Sequence, residues 1–431
     1  MSSAPHAPAA TWSAADAERW LLSLELFGMR FGLDRTQALM RALGAPNEAF
    51  RSIHVVGTNG KSSTARMIAA LLEHHGMRTG AYLSPHLVSF AERIRVGGAD
   101  VSLQRLAVAV ARARRAAELV DRTLEGDDRV TQFEALTAAA FGELAAAQVD
   151  VAVVEAGLGG RWDATNVIDA EVAVLTNVGL EHTRWLGPTV ADIAREKLAV
   201  VPPGATLVLG PDLHPDADAE AQLVADRGDA VIVRAPAQPD RIPAGLQLRA
   251  RGAFQRRNFA VACTAAEAFL GRLEAASVRA AAASTAVPGR FQVVTDASGG
   301  EVVLDGAHNA GGMAALAESL PDFLAGRRLV AVLSVLDDKD AAAMLAALLQ
   351  LCAGAVFTAS AHPRALSPAT LASLAGQVGA PAVVRVQADP RRAVAAAREI
   401  AGPDGVVLAT GSIYLVADLV RPAGSGRAST L

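Results

Sequence analysis

A chain of 431 residues exceeds one ordinary hydrophobic core and is expected to divide into two or three domains, two being the starting expectation. With 52% hydrophobic and 19% charged residues, many of the former alanine, it reads as a helix-rich globular protein and excludes a disordered or fibrous chain. A net charge of -4 excludes a general basic field for nucleic acid or an anionic membrane, so any phosphate ligand needs a local site.

The N-terminus lacks the basic region and apolar run of an export signal, and no later stretch is apolar for long enough to span a bilayer. The expectation is a cytoplasmic protein, frayed over its first ten residues. Short apolar runs then alternate with helical segments, the pattern of parallel sheets covered by helices. Strands are predicted at Ile53 to Val56, Val149 to Val154, Val172 to Leu175 and Thr206 to Leu209. Surface loops are predicted at Gly210 to Ala219, rich in Asp and Pro, and at Ala235 to Pro243. Near Ala286 to Gly289, proline and glycine close an alanine-rich helix, and a domain boundary is placed there, giving domains 1–286 and 287–431. The alternation resumes with Val302 to Leu304, Leu329 to Leu333, Ala355 to Phe357, Val383 to Val386 and Val406 to Ala409, separated by helices such as Ala341 to Leu351 and Arg391 to Ile400. A tail from Arg421 is expected to be mobile. The two cysteines, Cys263 and Cys352, lie far apart and fit core thiols in a reducing compartment better than a disulfide or a zinc site.

The sharpest local signal is the run Gly57-Thr58-Asn59-Gly60-Lys61-Ser62-Ser63, between a strand and a helix reaching to about His75. Glycines let backbone N–H groups close on phosphate oxygens, the helix N-terminus adds favourable partial charge, and Lys61 reaches the terminal phosphates. A hydroxyl beside the lysine suits Mg²⁺. The full phosphate-loop motif would place glycine where Val55 stands, so this is a shortened variant. A glycine turn with a solvated lysine is the bland alternative. By itself the loop says only that a nucleotide binds.

Further runs follow in order: SPHLVSFAERI from Ser84, TQFEALT from Thr131, EAGLGGRWDATN from Glu155, TNVGLEHTRWLGPT from Thr176, REK from Arg195, QRRN from Gln255, PGRF from Pro288, LDGAHN from Leu304 and GSIYLVADL from Gly411. In this ordered set, from about Phe31 to Leu419, the chain resembles folylpolyglutamate and dihydrofolate synthases, the folate branch of the Mur ligase family. The resemblance implies an α/β fold: an N-terminal P-loop ATPase domain of Mur ligase type and a smaller C-terminal Rossmann-like domain of the glutamate-ligase type. It implies an ATP-dependent ligase joining glutamate to dihydropteroate, to folate polyglutamates or to both through an acyl phosphate, with small-molecule partners only, acting as a monomer. A Mur-fold amino-acid ligase with a non-folate acceptor is the alternative, and an ATP-binding module that has lost ligase chemistry is the rival of another class.

The same resemblance implies the site. One Mg²⁺ would meet Ser63 or Ser62, Ser84 and Glu155; a second would meet His182 and Lys197, the latter carrying a carbamate from CO₂. Thr58, Asn59, Gly60, Lys61, Ser62, Ser63, Asn258, Arg290 and Asp305 would bind the nucleotide, and His308 would orient substrate or phosphate. Thr131, Phe133, Glu134, Trp162, Asp163 and Ala164 would receive the pterin, whose flat ring needs an aromatic face and polar groups for its amino edge. Lys61, Glu155, His182, Lys197, Asp305 and His308 form the expected catalytic set. Each has an ordinary structural reading: a capping glutamate, an ion-paired lysine, a histidine satisfied in the core or a helix cap. Asp338-Lys339-Asp340 also matches the resemblance, although such charge runs are usually solvated faces. Departures are GKSS for the commoner GKGS or GKGT, EAGLGG for EVGLGG, and Glu181-His182 for an Asp-His pair.

Overall fold

The structure, a computed structural model, describes residues 12–25, 32–237, 246–296 and 299–422. The first ten residues, most of the proline-rich stretch near 240 and the tail beyond 422 lie outside the described residues. Strands β1 (Arg51–Val56), β2 (Thr79–Tyr82), β3 (Ile94–Val96), β4 (Ala99–Asp100), β5 (Val151–Glu155), β6 (Val172–Leu175), β7 (Thr206–Leu209) and β8 (Val231–Arg234) form one sheet in the order β4-β3-β2-β5-β1-β6-β7-β8. Strands β9 (Gln292–Thr295), β10 (Glu301–Leu304), β11 (Leu329–Leu333), β12 (Gly354–Phe357), β13 (Val383–Val386) and β14 (Val406–Thr410) form a second, ordered β13-β12-β11-β14-β10-β9. The architecture is two-domain α/β.

Pairing is parallel except where β3, β4 and β9 join their neighbours. The central strands β1, β5, β6, β11 and β14 are buried along nearly their whole length, which is why they read as continuous apolar runs rather than alternating ones. Helices Lys61–His74 and Ala253–Leu270 close over one face of the first sheet, their Ile68, Leu72, Phe259 and Ala266 sharing a core with Ile53 and Val153. In the second domain, helices Ala310–Leu324 and Ala341–Leu349 do the same with Leu316, Met344 and Leu348 against Ala331 and Leu333.

Register places the site. Parallel pairing sets Val55 beside Glu155 and Val56 beside Leu175, so the segments leaving β1, β5 and β6 emerge side by side. Ligands of open parallel sheets gather outside these carboxyl ends.

Several elements differ from expectation. β5 begins at Val151 rather than Val149 and includes Glu155; the Asp150 N–H is already used by the Arg78 carbonyl. The stretch expected as a loop over Gly210 to Ala219 contains the start of helix Pro215–Gly228, with Pro215 at its first position and His214 accepting from the Asp216 N–H. Proline and aspartate there mark a helix beginning rather than a loop interior.

Candidate active site

Between the two sheets lies a cavity of about 1260 Å³, lined by the phosphate loop, the segments after β5 and β6, and the turns after β10 and β11. Its floor is the phosphate loop. Gly60 is the N-cap of helix Lys61–His74 with φ 83°, and no side chain caps that helix, so its first N–H groups are available to an anion. A Cβ at Gly60 would sit 2.5 Å from Asn258 Oδ1, so this position needs glycine for both conformation and space. Lys61 Nζ lies over its own loop, donating to the Gly57 carbonyl at 3.1 Å and the Thr58 carbonyl at 3.3 Å. Asn177 holds the loop open from behind, its Oδ1 accepting from the Asn59 N–H and its Nδ2 donating to the Asn59 carbonyl. Thr58 completes the brace by accepting from the Gly179 N–H.

Glu155 ends β5 and is 1% exposed. Its Oε1 accepts from Ser62 Oγ at 2.8 Å and its Oε2 from the Ser84 N–H at 2.9 Å. Burial pushes its pKa up, opposed by the Lys61 charge and these hydrogen bonds. Ser62, not Ser63, is the loop hydroxyl turned to Glu155, because Ser63 is buried one position further into the helix. A buried carboxylate satisfied by neutral donors, with hydroxyls beside it, fits a hard divalent cation that takes its remaining ligands from water and phosphate. Among the described residues no three His, Cys, Asp or Glu side chains gather into a metal cage.

Lys197 projects from helix Val190–Leu198 and is 5% exposed, its Nζ donating to the same Gly57 carbonyl at 2.9 Å. Burial, then the Lys61 charge, lowers its pKa to about 7, leaving a large neutral fraction at neutral pH. That amine is chemically able to add CO₂, so the residue fits the expected carbamate. His182 adopts φ 52°, at the turn before helix Thr183–Leu186, and burial lowers its pKa to about 4, so it presents a neutral imidazole suited to a metal.

The second domain supplies the opposite wall. Arg290 donates to the Gly306 carbonyl at 2.8 Å and faces the cavity. Asp305 is 3% exposed, and its two oxygens accept from the Phe291 and Ala307 N–H groups, so it braces its own turn. His308 is fixed through Nδ1 to the Gly306 carbonyl at 2.9 Å. Asn258, expected to bind the nucleotide, is buried against Gly60 and donates to Gln255 Oε1 at 3.0 Å, at the phosphate-loop end of the cavity.

On the acceptor side, Thr131, Phe133, Glu134, Trp162, Asp163 and Ala164 all line the cavity. A Cβ at Gly157 would come within 2.6 Å of the Phe133 ring, so glycine there lets the ring lie flat on the turn after β5. Trp162 is 47% exposed at the mouth. Two of these carboxylates already have partners within the chain. Glu134 is not a free carboxylate for an amino edge: it accepts from the Thr131 N–H and hydroxyl and from the Arg35 guanidinium, at 2.9 Å in their ion pair. Thr131 is correspondingly the N-cap of helix Gln132–Ala146. Asp163 is likewise taken up by the Leu158 and Thr165 N–H groups and the Thr165 hydroxyl. Both shape the pocket from behind. Lys339 also differs from a solvated run: its side chain is 11% exposed and pairs with Glu181 at 3.2 Å. Arg35, Asn177 and Arg364 line the cavity too; Asn177 lies inside the TNVG run, whereas Arg35 and Arg364 carry no motif signal of their own.

The Mur ligase middle domain matches residues 55–203, and the Mur ligase, glutamate ligase domain matches residues 289–413. A dihydrofolate synthase/folylpolyglutamate synthase from Mycobacterium tuberculosis is 38% identical over 402 residues, covering 84% of this chain and 81% of that protein. The structure of Mycobacterium tuberculosis folylpolyglutamate synthase complexed with ADP superposes with a TM-score of 0.86 at 34% identity, over 96% of this chain and 99% of that one. E. coli FolC in complex with DHPP and ADP superposes at 0.81 with 29% identity, over 96% and 98% of the two chains. With a phosphate loop, a buried carboxylate and a second-domain wall assembled around one cavity, and with relatives of this kind matching along nearly its whole length, the chain belongs to the dihydrofolate synthase/folylpolyglutamate synthase family of Mur ligases.

Proposed function

We propose that this protein ligates L-glutamate to dihydropteroate, to the γ-carboxylate of folate polyglutamates or to both, using ATP and passing through an acyl phosphate. The observation that carries the reading is the placement of Lys61, Glu155, Arg290 and His308 around one cavity that also holds the aromatic acceptor pocket of Phe133 and Trp162. The ADP of the Mycobacterium tuberculosis complex and the DHPP and ADP of the E. coli complex support it.

An acceptor carboxylate oxygen attacks the γ-phosphorus of ATP, the bond to ADP breaks, and an acyl phosphate forms. The glutamate nitrogen then attacks the acyl carbon, phosphate leaves, and the nitrogen gives up its proton. No protein nucleophile is required; the work is orientation and neutralisation of crowded negative charge. The uncapped helix N-terminus and Lys61 hold the phosphates, and Arg290 contributes charge from the second domain. Walls on both sides keep water from the acyl phosphate.

Magnesium would be held by Ser62, Ser84 and Glu155 at one position and by His182 and a carbamylated Lys197 at another, where it would neutralise phosphate charge. The protein's own residues prepare these positions: Ser62 and the Ser84 N–H orient Glu155, and burial lowers the pKa of Lys197 to about 7 and that of His182 to about 4.

The test is ADP release with glutamate and each acceptor, dihydropteroate and a folate monoglutamate, assayed side by side. Absence of acceptor-dependent ADP with both acceptors would refute the reading. Transfer of ¹⁸O from a labelled acceptor carboxylate into phosphate is the expected signature of the acyl phosphate.

A further inference from the structure

Glu181 lies in the segment after β6, between Leu180, which is 64% exposed, and His182, whose side chain is 39% exposed. Its own side chain is only 8% exposed because it turns across the cavity to the other domain. Oε1 stands 3.3 Å from His308 Nε2, on the turn after β10, and 3.2 Å from Lys339 Nζ, on the turn after β11. The contacts continue along the second-domain wall: Lys339 lies 3.6 Å from Asp338 Oδ2, and Arg364 lies 3.3 Å from that same oxygen. The other side of the His308 ring is fixed by the Gly306 carbonyl, so Glu181 supplies the second of two restraints on its orientation.

We propose that Glu181 is a positioning residue: its carboxylate ties the second domain across the phosphate loop and thereby sets His308 and Lys339 toward the reacting groups. Side-chain length is central to the role. Aspartate at this position would fall short by about 1.5 Å, one C–C bond, and the contacts of 3.2 and 3.3 Å would leave hydrogen-bonding range. Charge matters too, since the Lys339 ammonium, facing a shielded carboxylate, loses its ionic partner if that carboxylate is neutralised. Another ion pair between the domains, Arg257 with Glu318, has side chains 34% and 53% exposed and is open to solvent screening, so it is a weaker tie. The reciprocal amide bonds between Asn59 and Asn309 join the phosphate loop to the turn that carries His308, without charge.

The experiment compares wild type with Glu181→Asp, Glu181→Gln, Lys339→Met and the Glu181→Gln/Lys339→Met double variant. Thermal melting confirms folding of each, and ADP binding reads the phosphate loop separately. For both Glu181 variants the expected result is kcat reduced about tenfold or more with ADP affinity within about threefold of wild type. The radius of gyration from small-angle scattering of the protein without nucleotide should increase. The double variant should be no worse than the poorer single variant, because both remove one interaction. Unchanged kcat and scattering in both Glu181 variants overturns the proposal, as does a double variant whose losses multiply. The kinetic arm rests on the ligase reading above, whereas scattering and ADP binding need no acceptor. Wild-type protein inactive with every folate acceptor would therefore remove that reading, and scattering would still decide the tie.

Discussion

Two strand–turn–helix units face each other across the cavity, one leaving β1 and the other leaving β10, and they treat their helix N-termini in opposite ways. The first ends in Gly60, which offers no side chain to its helix, and follows it with Lys61. The second ends in Asn309, whose Oδ1 accepts from the Gly312 N–H at 2.7 Å. The two turns touch through the Asn59 and Asn309 amides, so they share one space. The difference teaches where phosphate goes: an N-terminus that caps itself has used donors that an uncapped one keeps for a ligand. In the second turn Asp305 accepts from the Phe291 and Ala307 N–H groups and His308 is held by the Gly306 carbonyl, so these polar groups brace the turn itself.

The largest effect expected from breaking this asymmetry is at Lys61, the lysine of the anion-binding turn. Lys61→Ala should lower turnover by about 10³-fold or more, since phosphoryl transfer depends on charge neutralisation. Steady-state kinetics and ADP binding check it, and tight binding in the variant would show that backbone N–H groups suffice. Lys197→Ala sharpens the division between holding nucleotide and completing the reaction: turnover should be lost while ADP affinity stays within about threefold. Added bicarbonate should not rescue it, and near-normal activity would end the carbamate proposal.

Gly60→Ala tests the uncapped turn itself. With φ 83° and a new Cβ 2.5 Å from Asn258 Oδ1, it should weaken ADP binding and cost about 1–3 kcal/mol of stability, read by calorimetry and denaturant unfolding. A pH experiment separates the strands that feed the turns. His54 in β1 is wholly buried beside the Thr165 hydroxyl, and burial lowers its pKa to about 3. The unfolded value is near 6.5, so the unfolded chain binds the extra proton between these limits. Its contribution is complete above pH 6.5 and is lost as pH falls toward 3, with a limiting slope of about 1.4 kcal/mol per pH unit. His54→Asn should flatten that part of the stability profile; an unchanged slope would clear the histidine. Asn309→Ala, at the self-capped turn, should have the smallest effect, about 1 kcal/mol of stability with little change in ADP affinity.

What the sequence made legible follows from how local each feature is. The phosphate loop needs only a strand, glycines, a lysine and a helix in immediate succession, and all are contiguous between Arg51 and His74. The family resemblance brought the distant site residues into one list, and the cavity does gather them. The roles of carboxylates were harder to read. Glu134 looked available because its Arg35 partner lies 99 residues upstream, and Lys339 looked solvated because Glu181 is 158 residues away. No spacing rule connects such pairs; they exist only once the chain has folded. Strands β2 and β9 escaped notice for a related reason: Thr79–Tyr82 and Gln292–Thr295 lack the continuous apolar run that made the equally short β6 and β7 legible, and β9 is fixed by its antiparallel partner.

The exposed Trp162 has one further consequence. The chain contains four tryptophans, and Trp12 and Trp20 sit edge to face, 6.3 Å apart, against the first-domain core. Trp162 and Trp185, 47% and 40% exposed, both border the cavity mouth. The protein thus carries its own optical reporter: half its indoles are sheltered as a steady reference, and the other half emit from the doorway through which an acceptor would enter.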